Sequence, residues 1–300
     1  MAGRTASRHG KRQLSTTIGS LWREGRDALS RLGFESAARD AKLLVGHVLE
    51  LSPVQMASGE HDPVSPEQAA RVETLLQRRM TGESVARIIG EREFYGLAFG
   101  LNEATLEPRP ETELLVDLAI SRLPPNGRLL DLGTGTGCIP IATLANRPDA
   151  VAMATDLSGK ALQMAGDNAH LHGAHARIEL RQGDWFAALP AQSVFDVIVS
   201  NPPYIASPVV ETLAPEVKDF DPLLALDGGP DGLAPYRIIA AQAARFLKPS
   251  GVVLVEIGFD QGETVTALFD RAGFVDVRIH KDLNHLDRVV EAHHLGGVAP

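Results

Sequence analysis

A single cysteine, Cys138, stands in a chain of 300 residues. No internal disulfide can form, and the composition is compatible with a reducing cytosol. No stretch approaches the ~20 uninterrupted apolar residues that a membrane span needs, and no signal-peptide hydrophobic region is present. An excess of basic residues is missing too. Residues 1–90 hold 13 Lys+Arg against 10 Asp+Glu, a net of +3, whereas the remainder holds 16 against 28, a net of −12 within the overall −9. So acidic a main domain argues against a protein that wraps a polyphosphate backbone, because such proteins present a broad basic face. There is no internal repeat and no low-complexity tract. The one basic, acid-free stretch carries Arg4, Arg8, Lys11 and Arg12. Its composition overlaps with that of a transit peptide, and it is read as a solvated tail. A cytoplasmic monomer without direct nucleic-acid or membrane binding is the expectation.

What is present divides into three parts. Residues 1–85 carry helical stripes: Ile18, Leu21, Trp22, Leu29 and Leu32, then Ala37, Ala41, Leu44, Val45 and Val48, then Val72, Leu75, Leu76 and Met80. The third begins "SPEQ", with Ser65 as cap, Pro66 at the first helical position and Gln68 completing a capping box. Three short helices of this kind make a small bundle without a metal or nucleophile constellation, and thus a recognition or scaffolding module. Residues 86–110 open on glycine-punctuated β-prone pieces at Gly90, Gly96 and Gly100, which predict a hairpin linking the bundle to the rest. In residues 111–300 strand candidates at 128–132, 150–155, 176–181, 195–200, 251–257, 275–280 and 287–292 are mostly separated by helical stretches. That alternation predicts an α/β fold with a mostly parallel sheet covered on both faces.

Three strand ends carry candidate ligand-binding residues. "RLLDLGTGTG" places Asp131 at a strand tip and Gly133, Thr134, Gly135, Thr136 and Gly137 in a turn before a helix at about 138–146. The spacing departs from the dinucleotide fingerprint that aims a helix at a pyrophosphate. It suits a nucleoside without phosphate, with Asp131 accepting from an ammonium group, as in S-adenosyl-L-methionine. "VAMATD" ends in Asp156, which can accept both ribose hydroxyls, and "RQGDWF" supplies Asp184 for an adenine amine and Trp185 for its face. The carboxyl edge of one such sheet is where α/β ligands bind.

The fourth strand end reads "SNPPYI", so Asn201, Pro202, Pro203 and Tyr204 fall beside that site. A planar nitrogen on an sp2 carbon, in a carboxamide or an exocyclic base amine, is a poor nucleophile. The Asn201 oxygen and the Pro202 carbonyl can each accept one of its N–H bonds, Tyr204 can lie against its flat face, and two prolines keep the arrangement from relaxing. These residues alone do not distinguish glutamine from adenine. His170, His172 and His175 lack an acidic or cysteine partner and are read as a helix terminus rather than a zinc site; no metal is expected. Cys138 is read as a small packing residue.

The chain resembles the protein-(glutamine) methyltransferases of the HemK/PrmC type. The resemblance runs through "ARIIGEREFYGL", "TLEPRPETELLVD", "LLDLGTGTGCI", "DWF", "SNPPYI", "ALDGGPDGL" and "LDRVV", and covers nearly the whole chain. It implies a seven-stranded class I S-adenosylmethionine-dependent methyltransferase sheet, Rossmann-like and with its last strand reversed, behind a small N-terminal helical substrate-recognition bundle. It further implies transfer of methyl to the side-chain amide of the glutamine in the Gly-Gly-Gln loop of peptide chain release factors. Gly133 to Gly137, Asp156, Asp184, Trp185 and Asn201 would contact the cofactor, and Asn201 to Tyr204 would hold the glutamine. Glu107 stands where an aliphatic residue is expected before "PRP", and Arg109 and Glu111 are expected to brace the hairpin, with a place at the methionine end of the cofactor as the alternative. A ribosomal-protein glutamine or a DNA amino group is the alternative methyl acceptor, and a cofactor-binding module without activity is the non-enzymatic one.

Overall fold

Capping chemistry sets the helices of the front unit. In the computed structural model, which describes residues 16–296 and so leaves Arg4 to Arg12 outside the described residues, the chain divides at Ile89/Gly90 into two units. The first holds α1 (Ile18–Arg31), α2 (Ala37–Leu49), α3 (Pro53–Ser58), α4 (Pro66–Met80) and α5 (Val85–Ile89). Capping boxes open α1, α3 and α4, where Thr17, Ser52 and Ser65 exchange hydrogen bonds with the residue three positions on. The three expected helices are α1, α2 and α4. The short α3 starts at "SPVQ", the same signal as "SPEQ", and residues 86–89 finish α5 instead of opening the hairpin.

Leu29, Ala41, Leu44, Val45 and Val72 are fully buried in this unit. Among them sits a buried ion pair: Arg79 Nε lies 2.8 Å from Asp40 Oδ2, Ser36 Oγ donates to the same oxygen at 2.7 Å, and the guanidinium stacks 4.0 Å from the Phe34 ring centroid. Such burial of charge is tolerable because the carboxylate is hydrogen-bonded and the cation is covered by a π face.

The second unit opens with the hairpin β1 (Glu91–Phe94) and β2 (Leu97–Gly100), in register Glu91↔Gly100. Its two turn residues, Tyr95 and Gly96, both have positive φ, 54° and 73°, as a tight hairpin turn of matching twist requires. There follow α6 (Glu113–Arg122), β3 (Arg128–Leu132), α7 (Cys138–Asn146), β4 (Val151–Asp156), α8 (Gly159–Leu171), β5 (Ile178–Gln182), β6 (Phe195–Ser200), α9 (Ser207–Val210), α10 (Pro215–Lys218), α11 (Ala234–Gln242), β7 (Leu247–Glu256), α12 (Gly262–Arg271), β8 (Val275–Lys281) and β9 (Asp287–His293). All seven strand expectations are met to within a few residues.

The sheet order is β5-β4-β3-β6-β7-β9-β8, parallel except for β9, which runs antiparallel to both neighbours. This is the seven-stranded methyltransferase sheet with its last strand reversed. One apolar cluster, including Leu115, Leu129, Ile141 and Val199, covers one face, and a second, including Leu130, Ile198, Tyr236 and Phe269, covers the other. Alternate residues of β3 and β6 therefore serve opposite faces, as a pleated strand buried on both sides demands. No helix among the described residues is long and apolar enough to cross a membrane.

Candidate active site

Register alone brings the strand-end residues together. Thr155, Leu132, Ser200 and Val255 lie in one row across β4, β3, β6 and β7. Their successors, Asp156, Gly133, Asn201 and Glu256, consequently line up along the carboxyl edge. The chain leaves β3 toward β4 and β5 on one side and returns to β6 and β7 on the other, so Gly133 and Asn201 flank the topological switch point, where α/β folds bind ligands. Ser200 Oγ donates to the Leu132 carbonyl at 2.7 Å and ties the two strands just beneath it.

A cavity of about 410 Å³ opens at this edge, within the range of small-molecule sites. Gly133, Thr134, Gly135, Thr136, Asp156, Asp184, Trp185, Asn201 and Pro203 all line it. Asp131, Gly137, Pro202 and Tyr204 do not. Asp131 is fully buried under the glycine turn. Gly137, at φ 78°, is the residue before α7, where a Cβ would fall 2.9 Å from Ile141 Cδ1 and 3.2 Å from Ala165 Cβ, so it serves helix packing. By contrast a Cβ at Gly133 or Gly135 would meet nothing within 4 Å, although their φ values of 75° and 56° make any side chain there strained.

Asp156 is held in place by two backbone donors, Gly135 N–H to Oδ2 at 2.9 Å and Ser158 N–H to Oδ1 at 2.8 Å. Burial nevertheless pushes its carboxyl above the ordinary range, those two bonds opposing it. Asp131 is pushed up to about 7 by burial, with the Asp156 charge adding to the effect. Thr134 lies beside it, yet neither carboxyl oxygen of Asp131 nor the Thr134 hydroxyl forms a well-shaped hydrogen bond. The buried hydroxyls of Thr136 and Thr155 likewise form no well-shaped hydrogen bond among the described residues. Trp185 has a φ of 46°, uncommon for a bulky residue.

Among the described residues, the charged ones in the cavity wall are Glu107, Asp156, Asp184 and Asp227 against one cation, Arg109, and Arg109 Nη2 is already engaged with Asp221 Oδ2 at 2.8 Å. The wall is suited to a cationic ligand. A phosphate would face carboxylates.

Asn201 is half-buried and donates from Nδ2 to Thr112 Oγ1 at 3.1 Å. Neither its Oδ1 nor the Pro202 carbonyl accepts a hydrogen bond among the described residues. The loop's backbone is clamped from outside: Gln261 Nε2 donates to the Tyr204 carbonyl at 2.9 Å, and a Cβ on Gly232 or Gly228 would fall 2.4 Å from Tyr204 O or 2.7 Å from Pro203 O. Those two glycines of "DGGPDGL" are there because backbone meets backbone. The Tyr204 hydroxyl is pushed up to about 12 by burial and then by the Glu256 charge, so it stays protonated.

The expectation that Arg109 braces the hairpin is corrected, since it reaches across to Asp221. Bracing falls to its neighbours: Glu113 Oε1 accepts from Tyr95 N–H at 2.8 Å, and Glu107 pairs with Arg92 at 3.2 Å. That ion pair explains an acid where an aliphatic residue was expected. Buried Asn168 joins hairpin to glycine turn, exchanging bonds with Gly100 at 2.8 and 3.1 Å and donating to the Thr136 carbonyl at 2.9 Å. Thr112, Glu256 and Gln261 were likewise missed. Glu256 had a signal, an acid ending the apolar run "GVVLVE", the pattern that singled out Asp131 and Asp156. The rings of His170 and His175 stack 4.3 Å apart, His172 Nε2 lies 2.6 Å from the Ala98 carbonyl, and no metal-binding cluster occurs among the described residues. Cys138 is buried at the cavity wall, its thiol pushed up to about 12 by burial.

Residues 20–90 match the model of the PrmC N-terminal domain, and residues 110–216 that of the Methyltransferase small domain. The release factor glutamine methyltransferase of Cereibacter sphaeroides is 46% identical over 264 residues, covering 88% of this chain and 94% of that one. The protein of the same name from Agrobacterium fabrum is 44% identical over 271 residues, covering 88% and 93%. A solved methyltransferase from Pyrococcus furiosus superposes with a TM-score of 0.52 at 16% identity, over 74% of this chain and 98% of that one, which shows the fold alone. Similarity of that extent, across both units and nearly the full length of the relatives, means that the chain belongs to the release factor glutamine methyltransferase family.

Proposed function

We propose that this enzyme transfers a methyl group from S-adenosyl-L-methionine to the side-chain amide nitrogen of the glutamine in the Gly-Gly-Gln motif of peptide chain release factors. The observation that carries the reading is the row at the switch point, which sets an amide with a free acceptor, Asn201, beside a glycine turn on an acid-lined cavity. The residues present fit that cofactor. Its cationic centres match the excess of carboxylates, Asp156 can accept its ribose hydroxyls, Asp184 and Trp185 would meet its adenine, and Gly133 and Gly135 leave room for close backbone approach. Bound there, it supplies an electrophilic methyl group on a sulfonium.

The chain's own residues act on the amide. Asn201 Oδ1 and the Pro202 carbonyl each accept one N–H of the glutamine nitrogen, which turns its lone pair toward the methyl carbon. Two prolines, Gln261 and the glycines at 228 and 232 keep those acceptors still, so orientation is supplied before reaction rather than during it. No base is required before attack, since the nitrogen becomes acidic once methylated and then gives up one proton to water. The front bundle would hold the release factor away from the reacting centre.

Incubation with methyl-labelled S-adenosylmethionine and purified release factor, ribosomal proteins or DNA, followed by mass spectrometry, tests the reading. Label on the Gly-Gly-Gln glutamine is expected. Label confined to DNA or a ribosomal protein, or absent from release factor, would overturn it.

A further inference from the structure

The "PRPETE" segment contains a residue with no part in bracing the hairpin. Thr112 is 2% exposed, and its Oγ1 accepts from Asn201 Nδ2 at 3.1 Å. Behind both lies Glu256, 1% exposed at the tip of β7, with Oε2 lacking any well-shaped partner. The Thr112 hydroxyl and the Asn201 amide face this carboxylate, which burial pushes up to about 7, while those two groups and the Arg288 charge favour its ionised form.

An asparagine side chain has a donor end and an acceptor end, and a half-turn about Cβ–Cγ exchanges them. What stands behind it decides which end points outward. Above about pH 7 the carboxylate is ionised and only accepts, so the Thr112 hydroxyl hydrogen is drawn to Glu256. That leaves the Thr112 lone pairs to receive one Nδ2 hydrogen, while the other faces Glu256 directly. With both donors taken on the buried side, Oδ1 is left for the cavity that Asn201 lines.

We infer that Thr112, backed by Glu256, is a positioning residue that fixes which end of the Asn201 amide faces the substrate. The inference rests on the reading of Asn201 as the acceptor for the substrate amide. It assigns the threonine of "PRPETE" a task distinct from those of its neighbours, with Arg109 on Asp221 and Glu113 on Tyr95.

Two readouts on the full chain test it, with the wild type as control. In kinetics with release factor, Thr112→Val is expected to lower kcat roughly 10²-fold through misorientation while S-adenosylmethionine Kd is unchanged. Thr112→Ser, which keeps the hydroxyl, recovers most of the loss, and in an Asn201→Ala background Thr112→Val adds none. In NMR of protein labelled with ¹⁵N-asparagine, the Asn201 side-chain amide, assigned by its loss in Asn201→Ala, exchanges slowly with water in wild type and fast in Thr112→Val. Should Thr112→Val fail to fold, Thr112→Ala takes its place. Wild-type kcat in the folded variant, or an Asn201 amide that keeps its protection there, overturns the inference. If wild-type enzyme labels no release factor, the proposed function fails by itself, and the exchange experiment still decides the orientation of Asn201.

Discussion

Asn201→Ala is expected to lower kcat on the release-factor glutamine about 10²- to 10³-fold, the cost of losing one preorganised hydrogen-bonding group at a reacting centre, with little change in cofactor affinity. The asymmetry follows from what each end of the side chain touches. Nδ2 is committed inward to Thr112, and Oδ1 is the end left for a substrate N–H. Removing it leaves the Pro202 carbonyl as the remaining acceptor, so the amide can rotate about a single bond and its lone pair is no longer aimed. The glycine turn and Asp156, on the other side of the switch point, keep their own bonds. Single-turnover rates and calorimetric titration with S-adenosylmethionine separate the two quantities. A fall in affinity as large as the fall in rate would make Asn201 chiefly a cofactor contact. A secondary stability loss of about 1–2 kcal/mol is expected as well, because Thr112 and Glu256 lose a donor they face in a buried place.

Asp131→Asn is expected to move stability and binding in opposite directions. The apoprotein holds the Asp131 proton up to about pH 7, whereas an ordinary aspartate titrates near 3.8. The folded state thus binds this proton more tightly than the unfolded chain does. Its stabilising contribution is complete below about pH 4 and is lost as pH rises through 7. Glu256, ordinarily near 4.5 and here about 7, acts in the same direction. Apoprotein at pH 8 is accordingly less stable than at pH 5, since by then both carboxylates are ionised in burial. Asp131→Asn removes one of those charges without changing shape. At pH 8 it raises apoprotein stability by about 2 kcal/mol, within the cost of an unsatisfied buried group, or about 5 °C in Tm for a unit of this size. At pH 5 it changes little. A cation in the cavity above the glycine turn favours the ionised form, so the same variant weakens S-adenosylmethionine roughly tenfold by loss of that attraction through a low-dielectric floor. Thermal melts at the two pH values, with and without cofactor, check both signs. A variant less stable than wild type at pH 8 would contradict the account.

How much of this was legible beforehand depends on range. The strands at 128–132 and 195–200 are legible to the residue, because their hydrophobic runs are local and end near glycine or proline. The acids at strand tips are legible for the same reason, and Glu256 belongs to that class. Contacts between distant segments were not legible. Arg109 and Asp221 are 112 positions apart and Gly100 and Asn168 are 68; nothing in either neighbourhood distinguishes these polar residues from solvated ones. Gly137 shows the limit from the other side, since a glycine within a ligand-binding turn is there for the side chain of Ala165.

The row Thr155, Leu132, Ser200 and Val255 also has a kinetic meaning. Its four members lie up to 123 positions apart, from Leu132 to Val255, and a slip of one residue in any pairing would turn that strand's side chains to the opposite face. The site therefore has no partial form. A refolding chain can recover helix and much of its strand content while the switch point is still unassembled, because long-range parallel pairing is slow. Catalytic competence appears only when the last of these strands has found its register.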